Sequence, residues 1–342
     1  MANVKRGITL KQEYELELEV TFDTRESQLN NILSWITKNL KFLLIPGSRL
    51  EELSRKESEY EVNRSKRKLI RRFKSTLTIL GIIIILITLS FTVFPSWISP
   101  YTYEEANGIL SGNWGTPSPD HPLGQGKFGR DILARMIYGA RSSITIALPA
   151  LFFNVLGGII LGVIAAYYGG WIDAVIMRIT DIFLAFPGLV LAAVFIAILG
   201  PRLQNIMLAY GILGIPYYSR LIRGNVLQAR SLPYVEAARV SGAGNWRIMF
   251  RHILPNCIQP IIISFTFDIG GVILSLAGLA FLGFGDPSLI EWGNDLSQAR
   301  LFINTAPWAS FWPGFMILIT VLGFMLLGDG LRDALDPRLK NL

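Results

Sequence analysis

The chain has 342 residues, 51% of them hydrophobic and 17% charged, with a net charge of +7 and a mean hydropathy of +0.43. Soluble domains carry roughly 45–50% apolar and about 25% charged residues, so this balance excludes an ordinary soluble enzyme and gives a membrane protein. One cysteine, Cys257, excludes an internal disulfide and a thiolate metal cage, and two distant histidines, His121 and His252, leave little material for a histidine metal site or an acid–base pair.

Residues 1–74 read as a polar extension. Within it, "EYELELEV" (13–20) alternates acidic and apolar side chains with period two, the pattern of a strand that must pair with something else. Leu29, Ile32, Leu33, Ile36, Leu40, Leu43 and Leu44 then recur at helical spacing up to Pro46 and Gly47, which predicts an amphipathic helix at the membrane surface or, alternatively, against a cytoplasmic subunit. The charged stretch "EELSRKESEYEVNRSKRK" (51–68) reads as a solvated helix or linker.

A membrane helix needs about 20 mostly apolar residues. Six stretches meet or approach this: 77–98, 144–168, 182–199 with an extension back to Trp171, 203–221, 257–284 and 308–327. The expected fold is therefore an all-α polytopic membrane protein with six transmembrane helices. Its parts are a first span over 75–98, an external loop over 99–141, a core over 142–331 and a cytoplasmic tail over 332–342. The first apolar run starts far from the N-terminus and has no small-residue cleavage pattern close behind it, so it is expected to remain in the protein.

Charge sets the expected orientation. "RSKRKLIRRFK" (64–74) precedes the first span, and the positive-inside bias puts such a cluster in the cytoplasm together with both termini. Arg220, Arg223, Arg230, Arg239, Arg247 and Arg251 after the fourth span fall on the same side, as do Arg332, Arg338 and Lys340. Lys127, Arg130, Arg135 and Arg141 lie outside, diluted by Asp120 and Asp131.

"GQGKFG" (124–129) fits G-x-G-x-x-G, but a proline-rich loop precedes it where a dinucleotide site needs a buried strand, and no G-x-x-x-x-G-K-[ST] occurs. The chain thus has no phosphate cradle of its own. Its glycines instead predict a turn before a short helix over 130–138, with Ile132, Leu133, Met136 and Ile137 resting on the outer membrane surface.

Charges within a bilayer are costly and are usually paired or functional. Asp268 lies near the middle of the fifth stretch, where it can line a solute path or bond to a neighbouring helix; Gly270 and Gly271 beside it allow close helix approach. Gly158 and Gly162 make a small-xxx-small face in the second stretch, a packing signal. Arg178 and Asp181, one turn apart near Asp173, suggest a local ion pair.

The segment 229–256 is the most informative. Pro233 starts a helix with Glu236 near its positive end and Gly242 and Gly244 at its close; Ala237 and Ala238 leave room for close contact. A second helix is expected with Asn245 as N-cap and Pro255 as its stop, carrying Trp246, Met249, Phe250 and Ile253 on one face and Arg247 and Arg251 on another. A helix, a glycine elbow and a second helix suit docking into a protein groove better than binding a small solute.

E-A-A, then Gly, then a terminal L-P (Glu236, Ala237, Ala238, Gly242, Leu254, Pro255) is the EAA motif of ABC importer permeases. With "HPLGQGKFGRDILARMIYGARSSI", "YYGGWIDAVIMRITDIFLAFPGLVL" and "LLGDGLRDALDPRLK", the chain from about residue 95 onward resembles the second permease of dipeptide, oligopeptide and nickel-type ABC importers. Departures are His252 in place of an aliphatic residue, a lost acid at Gly126, and the long N-terminal extension. The resemblance implies a type I importer fold, no catalytic residue, and no cofactor in this chain, with ATP and Mg held by two cytoplasmic ATPase subunits. It implies a second homologous permease as heterodimer partner, an external solute-binding protein, the lipid membrane, and no nucleic acid. It also makes 236–255, including Arg239, Trp246 and Arg247, the coupling segment in a prokaryotic cell membrane. Peptides are the expected solute, with oligosaccharides or nickel as alternatives. A proton-driven transporter would show several intramembrane ionisable groups and inverted repeats, and a membrane enzyme would show a clustered nucleophile, base or metal set. Neither pattern is evident.

Overall fold

In the computed structural model, residues 75–110 and 112–335 are described, together with Leu33 and Thr37. The chain divides into two compact units, Met1–Lys68 and Leu69–Leu342, and the elements below belong to the second. Of the N-terminal expectations, only the helical state of Leu33 and Thr37 is visible, with Thr37 Oγ1 donating to the Leu33 carbonyl at 2.7 Å. The expected strand over 13–20 and the residues from 336 onward lie outside the described residues.

The described elements are helices: α1 Thr76–Val93, α2 Tyr103–Asn107, α3 Ile132–Tyr168, α4 Gly170–Leu184, α5 Gly188–Leu199, α6 Leu203–Leu213, α7 Ile215–Ala229, α8 Pro233–Val240, α9 Leu254–Leu279, α10 Trp292–Ala299 and α11 Pro307–Leu335. Four continuous helical stretches are long and apolar enough to cross a membrane: α1, α3, the run Asn245–Phe284 and α11. A bent pair, α4 and α5, makes a fifth if counted as one span; it turns by 87°. Phe186 and Pro187 sit at the bend, where a proline cannot donate to the helix ladder and biases the residue before it away from helical geometry. The expected fourth span is divided at Gly214 into α6 and α7. Gly214 N still donates to the Tyr210 carbonyl and Tyr218 N to the Gly214 carbonyl, both at 3.4 Å, so backbone hydrogen bonds carry across the junction.

Glycines set how closely the helices approach. A Cβ at Gly158 would overlap Tyr218 Cβ, and one at Gly162 would lie 2.5 Å from the Ser219 carbonyl oxygen, so α7 rests directly on the glycine face of α3. Gly81 of α1 meets Leu326 of α11 in the same way, and Gly330 of α11 meets Thr78. That pairing runs α1 and α11 antiparallel. The start of α1, the end of α11 and the start of α9 therefore share one end of the bundle, with Gln259 Nε2 donating to the Leu335 carbonyl.

The opposite end departs from expectation. The segment 130–138 is no separate surface helix: α3 begins at Ile132 and runs for 37 residues, about 55 Å at 1.5 Å per residue. Ile132, Met136 and Ile137 are buried, and α10 packs on this part of α3. Trp292 Nε1 donates to the Met136 carbonyl at 3.0 Å, and a Cβ at Gly139 would lie 2.5 Å from the Trp292 ring. Asp131 caps α3 by accepting from Ala134 N at 2.7 Å, and its other oxygen meets His121 Nδ1 at 2.9 Å. His121 also stacks on Tyr101, so this histidine has partners that its sequence neighbourhood did not reveal. Arg135, only 4% exposed, forms an ion pair with Asp295 at 2.6 Å. Its Nη1 donates to the Ala106 carbonyl at 3.0 Å. In "GQGKFG" the glycines and Phe128 make a turn: Gly124, Phe128 and Gly129 all have positive φ.

Glu291, before α10, is 3% exposed and its Oε2 has no hydrogen-bond partner among the described residues. Burial first, then the Asp295 and Asp286 carboxylates, push its carboxyl from 4.5 up to about 8. A folded-state value raised above the unfolded one means stability fully present below about pH 4.5 and lost as pH rises toward 8. Glu291→Gln should therefore stabilise the purified protein at pH 8.5, by on the order of a few kcal/mol, and raise its thermal midpoint there while changing it little at pH 5. Equal shifts at both pH values would contradict the assignment.

Candidate functional site

Two regions carry the residues singled out from sequence: an arm at the end of the bundle shared by α1 and α11, and a polar cavity between helices.

The arm begins with α8. Pro233 occupies the first turn, where its missing N–H is not needed, and Glu236 follows in the same turn. The helix closes in a Schellman arrangement: Ala243 N donates to the Ala238 carbonyl at 3.1 Å and Gly242 N to the Arg239 carbonyl at 3.0 Å. Gly242 has φ +80°, and a Cβ there would meet nothing within 4 Å, so the requirement for glycine is conformational and not steric. The expected helix boundary shifts by one residue. Gly244 is the N-cap of the next turn, Asn245–Arg247, while the Asn245 side chain accepts from Tyr167 Oη at 2.9 Å and ties the arm to the end of α3.

Pro255 does not stop this second helix. A π-helical turn, Ile248–Ile253, widens the helix ahead of it and the chain continues into α9. A wider turn accommodates the ring and the missing donor that would break regular α geometry. Leu254 and Pro255 are thus the entry to a membrane helix.

Burial divides the arm into two faces. Val235, Ile248, Met249 and Ile253 are buried in the main core, while Ala238 and Ala243 pack partly against it. Glu236, Ala237, Arg239, Gly242 and Arg247 are exposed, as are Val240 at 89% and Trp246 at 63%. The predicted aromatic face is therefore split: Met249 and Ile253 point inward, and Trp246 stands out with its ring edge-to-face on Phe250 at 4.6 Å. Among the described residues Glu236, Arg239, Arg247 and Arg251 form no ion pair. The outer face thus presents free charges around an apolar tip.

Nearby, the expected local pair of Arg178 and Asp181 is not formed. Asp181 pairs with Arg220, and Asp173 accepts two bonds from Arg223 at 2.5 and 2.6 Å. Both arginines belong to α7, which brings paired charges to α4 that local spacing could not supply. Arg230 Nη1 also donates to the Ala166 carbonyl at 2.6 Å, at the end of α3.

The second region is a cavity of about 330 Å³ whose polar wall residues are Asn154, Tyr210, Tyr217, Tyr218, Asp268 and Ser275. Tyr218 Oη donates to Asp268 Oδ2 at 2.6 Å, so Asp268 both bonds to a neighbouring helix and faces open space. Its two glycines have different surroundings. A Cβ at Gly270 would touch Val321 of α11 at 3.3 Å, whereas one at Gly271 would meet nothing within 4 Å, and Gly271 lines the cavity. Sequence reading missed Tyr218 and Asn154. Asn154 did leave a signal, a lone amide inside the apolar run "LFFNVLGG"; Tyr218 left none, since its partner is fifty residues away. Among the described residues no group of three or more His, Cys, Asp or Glu could hold a metal.

Residues 158–341 match the family described as binding-protein-dependent transport system inner membrane component. The chain is 45% identical over 269 residues, 78% of its own length and 88% of the other's, to the dipeptide transport system permease protein DppC of Alkalihalophilus pseudofirmus. It is 40% identical over 277 residues to the glutathione transport system permease protein GsiD of Pectobacterium atrosepticum, covering 80% of this chain and 92% of that one. In structure it is similar to a chain of the MetNI methionine ABC transporter in inward-facing conformations, with a TM-score of 0.50 and 18% identity over 59% of this chain and 96% of that one. That likeness is one of fold, the type I importer permease fold. The chain belongs to the binding-protein-dependent transport system inner membrane component family and is a multi-pass permease subunit of an ABC importer.

Proposed function

We propose that this permease pairs with a second, homologous permease to carry peptides or similarly small solutes, and that Glu236–Pro255 is its contact with an ATPase subunit. The observation that carries the reading is the two-faced arm: a buried side rooted in the core and an exposed side with Glu236, Arg239, Val240, Trp246 and Arg247. The arm is rigidly joined to the bundle, because the π-helical turn runs without a break into α9 and Asn245 is bonded to Tyr167. Movement of a docked partner would thus be transmitted to the helix that carries Asp268. The names of the relatives, dipeptide and glutathione permeases, support peptides over oligosaccharides or nickel.

The near-continuity of α6 and α7 supports their acting as one span, which with the bent α4–α5 pair makes six. Arginine clustering at the arm end supports a cytoplasmic location for that end and for both termini, and the α2, α10 and Asp131 end then faces the external solute-binding protein. ATP and Mg belong to two separate ATPase subunits in this reading, and the chain itself performs no catalysis. Uptake of a labelled dipeptide should require co-expression of the ATPase and of the binding protein. Uptake that persists without the ATPase, driven by a proton gradient, would overturn the proposal in favour of a secondary transporter.

A further inference from the structure

The cavity bounded by α3, α6, α7 and α9 carries charge of one sign only. Its wall holds one carboxylate, Asp268, and no lysine or arginine. Most of its hydroxyl donors are already committed. Tyr218 Oη donates to Asp268 Oδ2 at 2.6 Å, Tyr210 Oη to the Ser275 carbonyl at 2.9 Å, and Ser275 Oγ to the Gly271 carbonyl at 2.8 Å. Asp268, which lines the cavity, keeps Oδ1 without a partner among the described residues, whereas Oδ1 of Asn154 is buried away from it. A carboxylate left short of donors inside a membrane protein is costly unless something visits it.

The chemistry of the visitor follows from the geometry. A guanidinium binds carboxylates best through two parallel bonds, and Tyr218 already occupies one oxygen of Asp268. Hard metal cations take six or more oxygens, far more than this wall offers. A primary ammonium carries three donors on a compact charge and can bond to the single carboxylate oxygen that stays free. We propose that the cavity is a transient subsite for the primary ammonium group of the transported solute, with Asp268 as counter-charge and Tyr218 as the residue that positions the carboxylate. The bond from Tyr218 also tempers the attraction, as a pathway site must release what it binds. The inference rests on the peptide reading above, since every peptide with a free amino terminus carries this group.

The test uses the complete importer, with both permeases, the ATPases and the binding protein, reconstituted in liposomes and supplied with ATP. Labelled Ala-Ala reports on the amino terminus and N-acetyl-Ala-Lys on a side-chain ammonium. Asp268→Asn should lower Ala-Ala uptake about tenfold or more, the scale of one charge-assisted bond, while Asp268→Glu should retain most of it. If only the acetylated lysine peptide responds to Asp268→Asn, the ammonium recognised is that of the side chain. Uptake of both peptides by Asp268→Asn equal to wild type overturns the subsite, as does an assembled Asp268→Glu complex as defective as Asp268→Asn, which would mark a packing role. Should Asp268→Asn fail to assemble, Tyr218→Phe, which releases the carboxylate, decides: a several-fold change in uptake of either peptide supports the subsite and unchanged uptake of both overturns it. Wild-type complex without ATP-dependent uptake of either peptide would refute the peptide reading itself, and this inference with it.

Discussion

Replacing Glu236 by alanine or Gly242 by valine should lower ATP-driven uptake at least tenfold while the permease still inserts and folds. The two changes act differently. Glu236 is exposed and without an ion-pair partner among the described residues, so its loss should alter stability by no more than about 0.5 kcal/mol. Any large effect must come from a contact that the described residues do not make. Gly242 holds φ +80° at the end of α8, where a β-branched residue meets a penalty of roughly 1–2 kcal/mol. That strain is relieved by re-aiming the turn, which displaces Arg239, Val240 and Trp246 relative to one another. Gly242→Asn, able to adopt the left-handed conformation, should keep most of the uptake. Full uptake in both Glu236→Ala and Gly242→Val would remove the arm from the coupling path.

The second large effect is on folding. Gly162→Leu places a side chain where a Cβ alone would sit 2.5 Å from the Ser219 carbonyl oxygen and 3.1 Å from Ile222 Cβ. Backbone on the facing helix cannot yield as a flexible side chain can. The α3–α7 contact must open, at a cost of about 3 kcal/mol, and the opening carries Tyr218 away from Asp268. Gly271→Ala, with nothing within 4 Å, is the matched control in the same membrane interior. Thermal unfolding of the detergent-purified protein should show a large fall for the first and little for the second. Similar midpoints for the two would show that α7 does not rest on this glycine face.

Four of the spans were legible because a continuous apolar run of membrane length has few alternative explanations. The EAA segment was legible because its proline, glutamate and glycines are local signals for a helix and its end. Distant partners hid the rest. The outer half of α3 carries Arg135 and Arg141 and looks like a surface helix in a sequence window, yet Arg135 is neutralised by Asp295, 160 residues away. Spacing pairs Asp181 with the nearest arginine, Arg178, whereas α7 supplies Arg220 to Asp181 and Arg223 to Asp173. Pro255 was read as a stop because the π turn that absorbs it leaves no compositional trace. Glu291 sits in a loop sequence, "LIEWG", that gives no sign of burial. Asp268 was visible as a charge in mid-span, but the cavity around it exists only once α3, α6, α7 and α9 are assembled.

On the reading proposed above, the exposed face of the arm seats in an ATPase subunit. A photo-crosslinking amino acid at Val240, the most exposed apolar position of α8, tests it in intact membranes of cells that express the whole importer. A crosslinked product containing the ATPase is expected from position 240 and none from Leu301, an exposed apolar residue at the opposite end of the bundle. A crosslink to the ATPase from position 301 and not from 240 would contradict it.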